Sequence, residues 1–221
     1  MRVWVTRAQP GADRTARAVA DLGHDPIVAP VLEVHDLPVA MQPPPDTLAF
    51  TSANAVAAWG RLTPDRSARV FAVGDATATA VREAGFGDVR SAAGDGAALA
   101  DLIAQAASAP VLWPRGADIA FDLEAALSGR VPVRSLPVYE TRPTTPPPRP
   151  DFDALLIQSP RAARLIAETL SAEAARGRLA LALSAAAARP LSGLPFATIH
   201  IAAHPDEAHL LAPLGKPPPA V

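Results

Sequence analysis

An internal repeat, interrupted by two proline-rich segments, constrains the fold of this chain more than any other feature. The motif Val5-Thr6-Arg7 returns as Trp113-Pro114-Arg115, and Phe50-Thr51-Ser52-Ala53-Asn54-Ala55 returns as Ile157-Gln158-Ser159-Pro160-Arg161-Ala162. Residues 73–77 match residues 183–187 more faintly. The repeat therefore divides the chain into four blocks. Block A contains Val5-Thr6-Arg7, block B contains the motif from Phe50, block A′ contains Trp113-Pro114-Arg115, and block B′ contains the motif from Ile157.

Short apolar runs alternate with amphipathic segments through all four blocks. Runs such as residues 2–6 predict buried strands, and helical spacing of apolar residues over 11–22 predicts a helix. The pattern also predicts helices over 119–127 and 185–191. Strands that alternate with helices are typical of an α/β protein with parallel sheets.

The proline runs predict how the blocks pair. The chain has 221 residues and 25 prolines, about twice the usual share of ~5%. Two proline clusters predict linkers at 37–45 and 141–149, because proline cannot donate to a ladder and favours extended backbone. The linkers follow A and A′. We therefore expect one domain over 46–140, from B and A′, and a discontinuous domain over 1–36 and 150–221, from A and B′.

Composition excludes several classes of protein. The absence of cysteine excludes a disulfide scaffold, an iron–sulfur site and a thiol nucleophile. A formal net charge of −2 argues against nucleic-acid binding, because no overall basic field collects phosphates. No run of apolar residues is long enough for a membrane span. The first residues also lack the apolar core of a signal peptide, which favours the cytoplasm.

Two weak motifs indicate neither a dinucleotide site nor a metal site. Gly94-Asp95-Gly96 lacks the third glycine of a dinucleotide fingerprint. His200 and His204 are four residues apart, but the first lies in a predicted strand and Pro205 follows the second. They are therefore not expected to share a helical face with each other or with His209, and we predict no metal site.

Polar residues follow three predicted strands where a helix begins, at Thr51-Ser52, at Gln158-Ser159 and at Gly74 to Thr77. In parallel sheets these loops line the binding crevice. The backbone N–H groups of a helix N-terminus also bind anions. The alternative is that Ser52, Ser159 and Thr77 only cap their helices.

Two arginines and a tyrosine lie at further strand ends. Thr6-Arg7 and Arg115 occupy equivalent places in the repeat. Their guanidinium groups could bind carboxylates bidentately, or they could be surface arginines without a role. Tyr139 is the only tyrosine of the chain. Its phenol could donate a proton between the two domains, or it could be a half-buried aromatic residue.

In spacing and order, five segments resemble the uroporphyrinogen-III synthase family. They are Val5-Thr6-Arg7-Ala8, Phe50-Thr51-Ser52-Ala53-Asn54-Ala55-Val56, Ala72-Val73-Gly74-Asp75-Ala76-Thr77-Ala78, Val138-Tyr139-Glu140-Thr141 and Gln158-Ser159-Pro160. The resemblance implies two flavodoxin-like α/β domains joined by a two-stranded linker. It also implies a cofactor-free reaction. Hydroxymethylbilane loses its hydroxyl to give an azafulvene cation, ring D is inverted through a spiro intermediate, and the macrocycle closes as uroporphyrinogen III.

The resemblance also implies roles for individual residues. Tyr139 is the implied acid that assists the loss of hydroxide. The implied binding residues for the substrate and its carboxylates are Thr6, Arg7, Thr51, Ser52, Asn54, Gly74, Thr77, Arg115, Ser159 and Ser184. The sequence departs from the family at 184–188, where Ser-Ala-Ala-Ala-Ala replaces a pattern much like Gly-x-x-Thr-Ala. Either this loop binds through backbone N–H groups alone, or this copy of the turn is weakened, with Ser184 as a partial replacement for the lost hydroxyl.

The expected partners follow from the same resemblance. We expect a cytoplasmic monomer that takes hydroxymethylbilane, makes transient contact with hydroxymethylbilane synthase, and binds neither nucleic acid nor membrane. The sequence also leaves two alternative functions open. One is a non-catalytic, two-lobed small-molecule-binding or regulatory relative, which the altered 184–188 turn favours. The other is a two-lobed periplasmic solute receptor, which the missing signal peptide disfavours.

Overall fold

Two parallel sheets organise the chain into two units. The computed structural model describes residues 1–40 and 43–215. Unit 1 consists of Met1–Glu33 with Arg142–Val221, and unit 2 consists of Val34–Thr141. Met41 and Gln42, in the first predicted linker, and residues 216–221, at the end of the predicted discontinuous domain, lie outside the described residues.

Strands and helices alternate along the chain. The strands are β1 (Arg2–Val5), β2 (Asp25–Val28), β3 (Leu32–Asp36), β4 (Thr47–Phe50), β5 (Arg69–Ala72), β6 (Val89–Ser91), β7 (Val111–Gly116), β8 (Val133–Pro143), β9 (Ala154–Ile157), β10 (Leu179–Ala182) and β11 (Thr198–Ile201). The α-helices are α1 (Gly11–Asp21), α2 (Ala53–Leu62), α3 (Asp75–Glu83), α4 (Gly96–Ala106), α5 (Leu123–Ala126), α6 (Pro160–Thr169), α7 (Ala172–Ala175), α8 (Ala185–Ala188) and α9 (Glu207–Leu211). Two 3₁₀ turns cover Arg189–Gly193 and Ala212–Leu214.

The sheet of unit 1 has the strand order β11-β10-β9-β1-β2, and all neighbouring strands are parallel. Apolar side chains cover both of its faces, as a parallel sheet requires. On one face Val5 packs with Val19 of α1 and Leu210 of α9. On the other face Trp4 packs with Ile166 of α6. The helices that follow β1 and β9 therefore lie on opposite faces.

The sheet of unit 2 has the order β3-β8-β7-β4-β5-β6, and the strands from β8 to β6 are parallel to their neighbours. Helices α2 and α3 cover one face, where Val56 and Val81 are buried. Helices α4 and α5 cover the other face, where Leu99 and Leu123 are buried.

Apart from β3, the two sheets have the same plan. Strands β7 and β8 take the places of β1 and β2, and β4-β5-β6 take the places of β9-β10-β11. The registers fix the equivalent residues, because Trp4 pairs with Leu155 in unit 1 and Leu112 pairs with Leu48 in unit 2. Val5 therefore corresponds to Trp113, and the next residues along each strand correspond in turn.

The ordered segments differ from the sequence prediction near the prolines. Residues 35–36, expected at the edge of the first linker, belong to strand β3, and β8 continues to Pro143, inside the second predicted linker. Proline is tolerated there because it ends the strand. The alternating apolar residues Leu32 and Val34 are a strand signal that the neighbouring prolines obscured.

Two predicted helices are shorter in the structure, and one helix was not predicted. The helix expected over 119–127 is the single turn α5, and residues 185–191 form α8 followed by a 3₁₀ turn. Pro190 explains the second change, since it lacks the N–H that an α-helix would use. Helix α7 was absent from the prediction. No helix among the described residues is long and apolar enough to cross a membrane.

Candidate functional site

The carboxyl ends of β1 and β9 form the candidate site of unit 1. Because their following helices pack on opposite faces of the sheet, these two strand ends define a topological switch point, where α/β sheets open a crevice. Thr6 and Arg7 follow β1, and Gln158 and Ser159 follow β9. The sequence placed Thr6, Arg7 and Ser159 in the site, and the fold brings all three to this edge.

The Thr6 side chain joins the two strands at this edge. It is fully buried, and its hydroxyl donates to the Leu156 carbonyl of β9 at 2.6 Å. The hydroxyl proton is therefore used within the fold, and the role of Thr6 in substrate binding stays a prediction. Its effect on the site is to hold β1 and β9 in register.

Arg7 lies against the N-terminus of α1. A Cβ added at Gly11 would stand 2.5 Å from its Nε, so the missing side chain of Gly11 makes room for the guanidinium. Nη1 lies 3.8 Å from Glu207 Oε1, and Glu207 also lies 3.7 Å from Arg14 Nε. Burial lowers the pKa of Arg7, the charge of Arg14 lowers it further, and Glu207 raises it. This half-buried cation is suited to carboxylate binding because it is incompletely solvated.

Serines cap the helices that follow β9 and β10. Ser159 Oγ accepts the Ala162 N–H at 3.1 Å, and Ser184 Oγ accepts the Ala187 N–H at 3.3 Å. Ser159 and Ser184 therefore do cap their helices. It does not exclude ligand binding, because a hydroxyl that accepts one hydrogen bond can still donate its own proton.

The altered 184–188 turn has a simple backbone explanation. Ser184 has φ −157° and ψ 164°, while the equivalent Gly74 in unit 2 has φ −162° and ψ 175°. Both residues are in extended backbone that any amino acid adopts. A Cβ on Gly74 would meet its nearest neighbour, the Gly94 carbonyl oxygen, at an ordinary 3.6 Å. Serine at this turn therefore preserves the loop, and it adds a side-chain cap.

In unit 2 the equivalent switch point lies between β7 and β4. Thr51 follows β4, and its hydroxyl accepts the indole N–H of buried Trp113 at 3.2 Å. Ser52 Oγ accepts the Asn54 N–H at 3.1 Å and caps α2. The predicted residues Thr51, Ser52 and Asn54 thus form one turn at the carboxyl edge. The side chains of Thr51 and Ser52 hold that turn in place.

Arg115 is the last residue but one of β7, and its side chain folds back on the loop that follows. Its Nη1 donates to the Gly116 carbonyl at 2.8 Å and to the Ala117 carbonyl at 3.2 Å. Its guanidinium carbon lies 5.6 Å from the centre of the Trp113 ring. Nε is buried and has no partner among the described residues. These contacts show that the Arg115 side chain stabilises the loop that follows β7.

Tyr139 lies beside the end of β7. It pairs with Gly116 across a register shift, and its carbonyl accepts the Ala117 N–H at 2.8 Å. The ring is almost fully buried in the cluster under α2. A Cβ added to Gly116 would lie 2.9 Å from Tyr139 Cζ and 3.1 Å from its hydroxyl oxygen. Glycine at 116 therefore lets the phenol reach the carboxyl edge.

Gly74 and Thr77 belong to the turn that follows β5. Gly74 precedes α3, and Thr77 lies in the first turn of that helix with 7% of its surface exposed. The equivalent residue in unit 1 is the fully buried Ala187. Thr77 thus lies at the predicted edge of the sheet but is mostly buried against its own helix.

The histidines near the chain end form contacts with each other and with an aspartate. The rings of His204 and His209 are 4.6 Å apart, and His209 Nδ1 lies 2.7 Å from Asp206 Oδ2. Hydrogen bonds from the His209 backbone N–H and ring lower the pKa of Asp206. Within the described ranges, no three histidine, aspartate or glutamate side chains are grouped to hold a metal ion.

Two residues of the candidate site were missed by sequence reasoning. Gln158 was read only as a neighbour of Ser159, yet both heteroatoms of its side-chain amide are buried and have no hydrogen-bond partner among the described residues. Gly116 was not singled out in the sequence, yet the Tyr139 ring lies against it. The signal for Gln158 was the repeat itself, because it stands where unit 2 has Thr51.

Each unit by itself offers groups that suit an anionic ligand. In unit 1 the N-terminus of α6 supplies N–H donors and Arg7 supplies a partly desolvated cation. In unit 2 the N-terminus of α2 supplies N–H donors, and Tyr139 supplies a phenol beside the end of β7. Unit 1 thus supports carboxylate binding, and unit 2 offers a phenol as a proton donor.

Comparison with known proteins identifies relatives of the same fold. The family model for uroporphyrinogen-III synthase HemD matches residues 13–212. The solved uroporphyrinogen-III synthetase from Helicobacter pylori is 19% identical, over 96% of this chain and 97% of that one, with a TM-score of 0.66. A mutant uroporphyrinogen III synthase from Thermus thermophilus is 18% identical over 96% of each chain, with a TM-score of 0.52. A comparison with curated protein sequences finds no match.

Proposed function

The chain belongs to the uroporphyrinogen-III synthase family, a family of cyclising lyases in tetrapyrrole biosynthesis, and we propose how its residues divide the work of that reaction. The enzyme converts hydroxymethylbilane into uroporphyrinogen III. This requires loss of hydroxide, inversion of ring D and ring closure. Closure without an enzyme gives the unrearranged isomer, so the protein must hold the linear chain in a conformation that exposes the hindered carbon of ring D.

The position of Tyr139 carries the assignment of the acid. Its phenol lies at the end of β7 against Gly116, and its hydroxyl has no partner among the described residues. In our proposal this hydroxyl donates a proton, or a hydrogen bond, to the leaving hydroxyl of the substrate. The azafulvene cation that forms requires no metal. The polar loop atoms around the site would balance its charge.

The carboxylates of the substrate are proposed to bind at the carboxyl edges of both sheets. Arg7 is the main cationic partner, because its guanidinium is half-buried and its 3.8 Å contact with Glu207 is too long for a hydrogen bond, which leaves N–H donors for a substrate carboxylate. The capped N-termini of α2 and α6 supply N–H donors close to Ser52 and Ser159. Gly74 and Ser184 supply the equivalent turns. Thr6, Thr51 and Arg115 are proposed as positioning residues, since their side chains hold the strand ends and loops.

The strand order of unit 1 supports a flavodoxin-like fold. The order β2-β1-β9-β10-β11 has the 2-1-3-4-5 pattern of a flavodoxin-like sheet. We propose that residues 1–36 with 150–221 and residues 46–140 act as two flavodoxin-like domains, and that β3 and β8 contribute to a two-stranded linker. We further propose a cytoplasmic monomer that receives hydroxymethylbilane through transient contact with hydroxymethylbilane synthase.

The function is tested by an isomer assay. Hydroxymethylbilane is supplied to the full chain, the product is oxidised, and type I and type III porphyrins are separated by chromatography. We expect mostly type III. A type I fraction equal to that of the protein-free control would disprove the synthase assignment and would leave the non-catalytic binding relative as the remaining interpretation.

The role of Tyr139 is tested separately with Tyr139→Phe. The substitution keeps the buried ring and removes only the hydroxyl, so we expect a marked loss of rate with little change in folding. Wild-type kcat in the variant, measured in the same isomer assay, would reduce Tyr139 to a packing residue.

A further inference from the structure

An unpartnered amide lies at the switch point of unit 1. Both Nε2 and Oε1 of Gln158 are shielded from solvent, and neither has a hydrogen-bond partner among residues 1–40 and 43–215. A buried polar group without a partner is costly, and native proteins retain few of them. An amide with both ends unpartnered, at an edge where ligands bind, therefore requires a physical explanation.

The equivalent position in unit 2 shows how such a residue can be satisfied within the chain. Thr51 accepts the indole N–H of Trp113 at 3.2 Å. By the strand registers, the residue of unit 1 that corresponds to Trp113 is Val5, which has no side-chain donor. The nearby indole of Trp4 is already used, because it donates to the Ala29 carbonyl at 2.7 Å. The side chain at this position therefore has a hydrogen-bond partner in unit 2 and none among the described residues in unit 1.

We propose that Gln158 is a substrate-contacting residue of the synthase, an inference that rests on the proposed function. A neutral amide offers one donor end and one acceptor end, and can be buried without the cost of a charge. Hydroxymethylbilane carries both complementary groups. In the free protein both heteroatoms are shielded, but the side chain as a whole is only partly buried, so a rotation of its end presents the amide to the ligand. Oε1 then accepts a pyrrole N–H, and Nε2 donates to a carboxylate. The two contacts complement Arg7 and the α6 N-terminus, which can bind only the anionic groups.

This assignment differs from the roles given to the neighbouring residues. Ser159 caps α6 and Thr6 joins two strands, so changes at either would alter the fold of the edge. The Gln158 amide makes no hydrogen bond to another described residue. Its loss should therefore weaken substrate binding without weakening the protein, and this combination separates a ligand-contacting role from a structural one.

The experiment compares Gln158→Leu with wild type. Leucine keeps the approximate shape and removes both unpartnered groups, so the urea midpoint of unfolding should stay the same or rise. Losing two hydrogen bonds to substrate should raise KM for hydroxymethylbilane roughly 5- to 100-fold, while kcat changes less than about threefold. Gln158→Asn, which keeps the amide on a shorter stem, should recover part of the loss.

The matched control is Gln105→Leu, which changes an exposed glutamine in the last turn of α4 in unit 2. This variant should leave KM, kcat and the isomer ratio unchanged. An unchanged KM in Gln158→Leu would overturn the inference, and so would a fall in its urea midpoint, because the amide would then support the fold. A wild-type protein that makes no type III product would instead refute the proposed function.

Discussion

Gly116→Ala tests the candidate site by displacing the Tyr139 phenol instead of removing it. The added Cβ would lie 2.9 Å from Tyr139 Cζ, 3.1 Å from its hydroxyl oxygen and 3.1 Å from the Asp118 carbonyl oxygen. The first contact is closer than a Cβ tolerates, and the carbonyl leaves little room on the other side. The tyrosine ring, which is packed under α2, must therefore move.

The structure sets the expected magnitudes. Overpacking a buried site by one methyl group costs about 1–3 kcal/mol of unfolding free energy. A displacement of the phenol by about 1 Å from a reacting group costs about 100-fold in rate. We therefore expect Gly116→Ala to lower kcat for type III formation by about that factor while the protein remains folded. Gly87→Ala in the same unit is the matched control, because its added Cβ has no neighbour within 4 Å.

The assay combines the isomer measurement with urea unfolding, for Gly116→Ala alone and in a Tyr139→Phe background. If the displaced hydroxyl is the acid, the second substitution adds little to the activity loss of the first, because both remove the same group. Independent, multiplying losses would show that Gly116 acts on the rate through something other than the phenol. Wild-type kcat and stability in Gly116→Ala would refute the packing of Tyr139 against this glycine.

Two further predictions concern stability in unit 2. Thr51→Val leaves the buried Trp113 indole N–H without its acceptor, so the free energy of unfolding should fall by about 1–3 kcal/mol, measured by urea denaturation. Hydrogen bonds from Arg61 hold the pKa of Asp36 below its usual value. This ion pair therefore stabilises the fold at pH values above the unfolded-state pKa of Asp36. The stabilisation is lost as the pH falls through the lowered folded-state pKa. Both side chains are about half exposed, so Asp36→Asn should cost no more than about 1 kcal/mol at pH 7, and the two unfolding curves should converge in acid.

The alternating pattern in the sequence was enough to predict most of the elements, because buried parallel strands are short apolar runs that glycine and helix caps separate clearly. The strand predicted over residues 2–6 and the helix predicted over 11–22 each end one residue earlier in the structure, as β1 and α1. Strand β3 was missed because its five residues adjoin a proline cluster. Local propensity assigns such a segment to a linker, whereas the partner strand β8 makes it part of the sheet.

The site was less predictable because sequence position does not determine what a side chain contacts. Thr6 was placed correctly at a strand end, but its hydroxyl donates to a carbonyl of the neighbouring strand. Arg7 and Arg115 looked equivalent, yet only Arg7 lies beside a carboxylate. The sequence repeat already aligns Val5 with Trp113, but only the side-chain contacts show that Thr51 uses the Trp113 indole and that the Gln158 amide has no such partner among the described residues.

Arg7 and Arg115 have different surroundings. The structure extends the repeat to helices α4 and α9, and the two copies differ there. Helices α4 and α9 both follow the last strand of their sheet, and both begin after an aspartate cap, Asp95 and Asp206. The next residue is Gly96 in unit 2 and Glu207 in unit 1. Glu207 pairs with Arg7, whereas the space beside Gly96 is filled by Phe121, whose ring lies 2.4 Å from where a Cβ would stand. With no carboxylate at that position, Arg115 donates to its own loop carbonyls. The two copies thus differ at this position as well: unit 1 has Glu207, which pairs with Arg7, and unit 2 has Gly96, which carries no carboxylate.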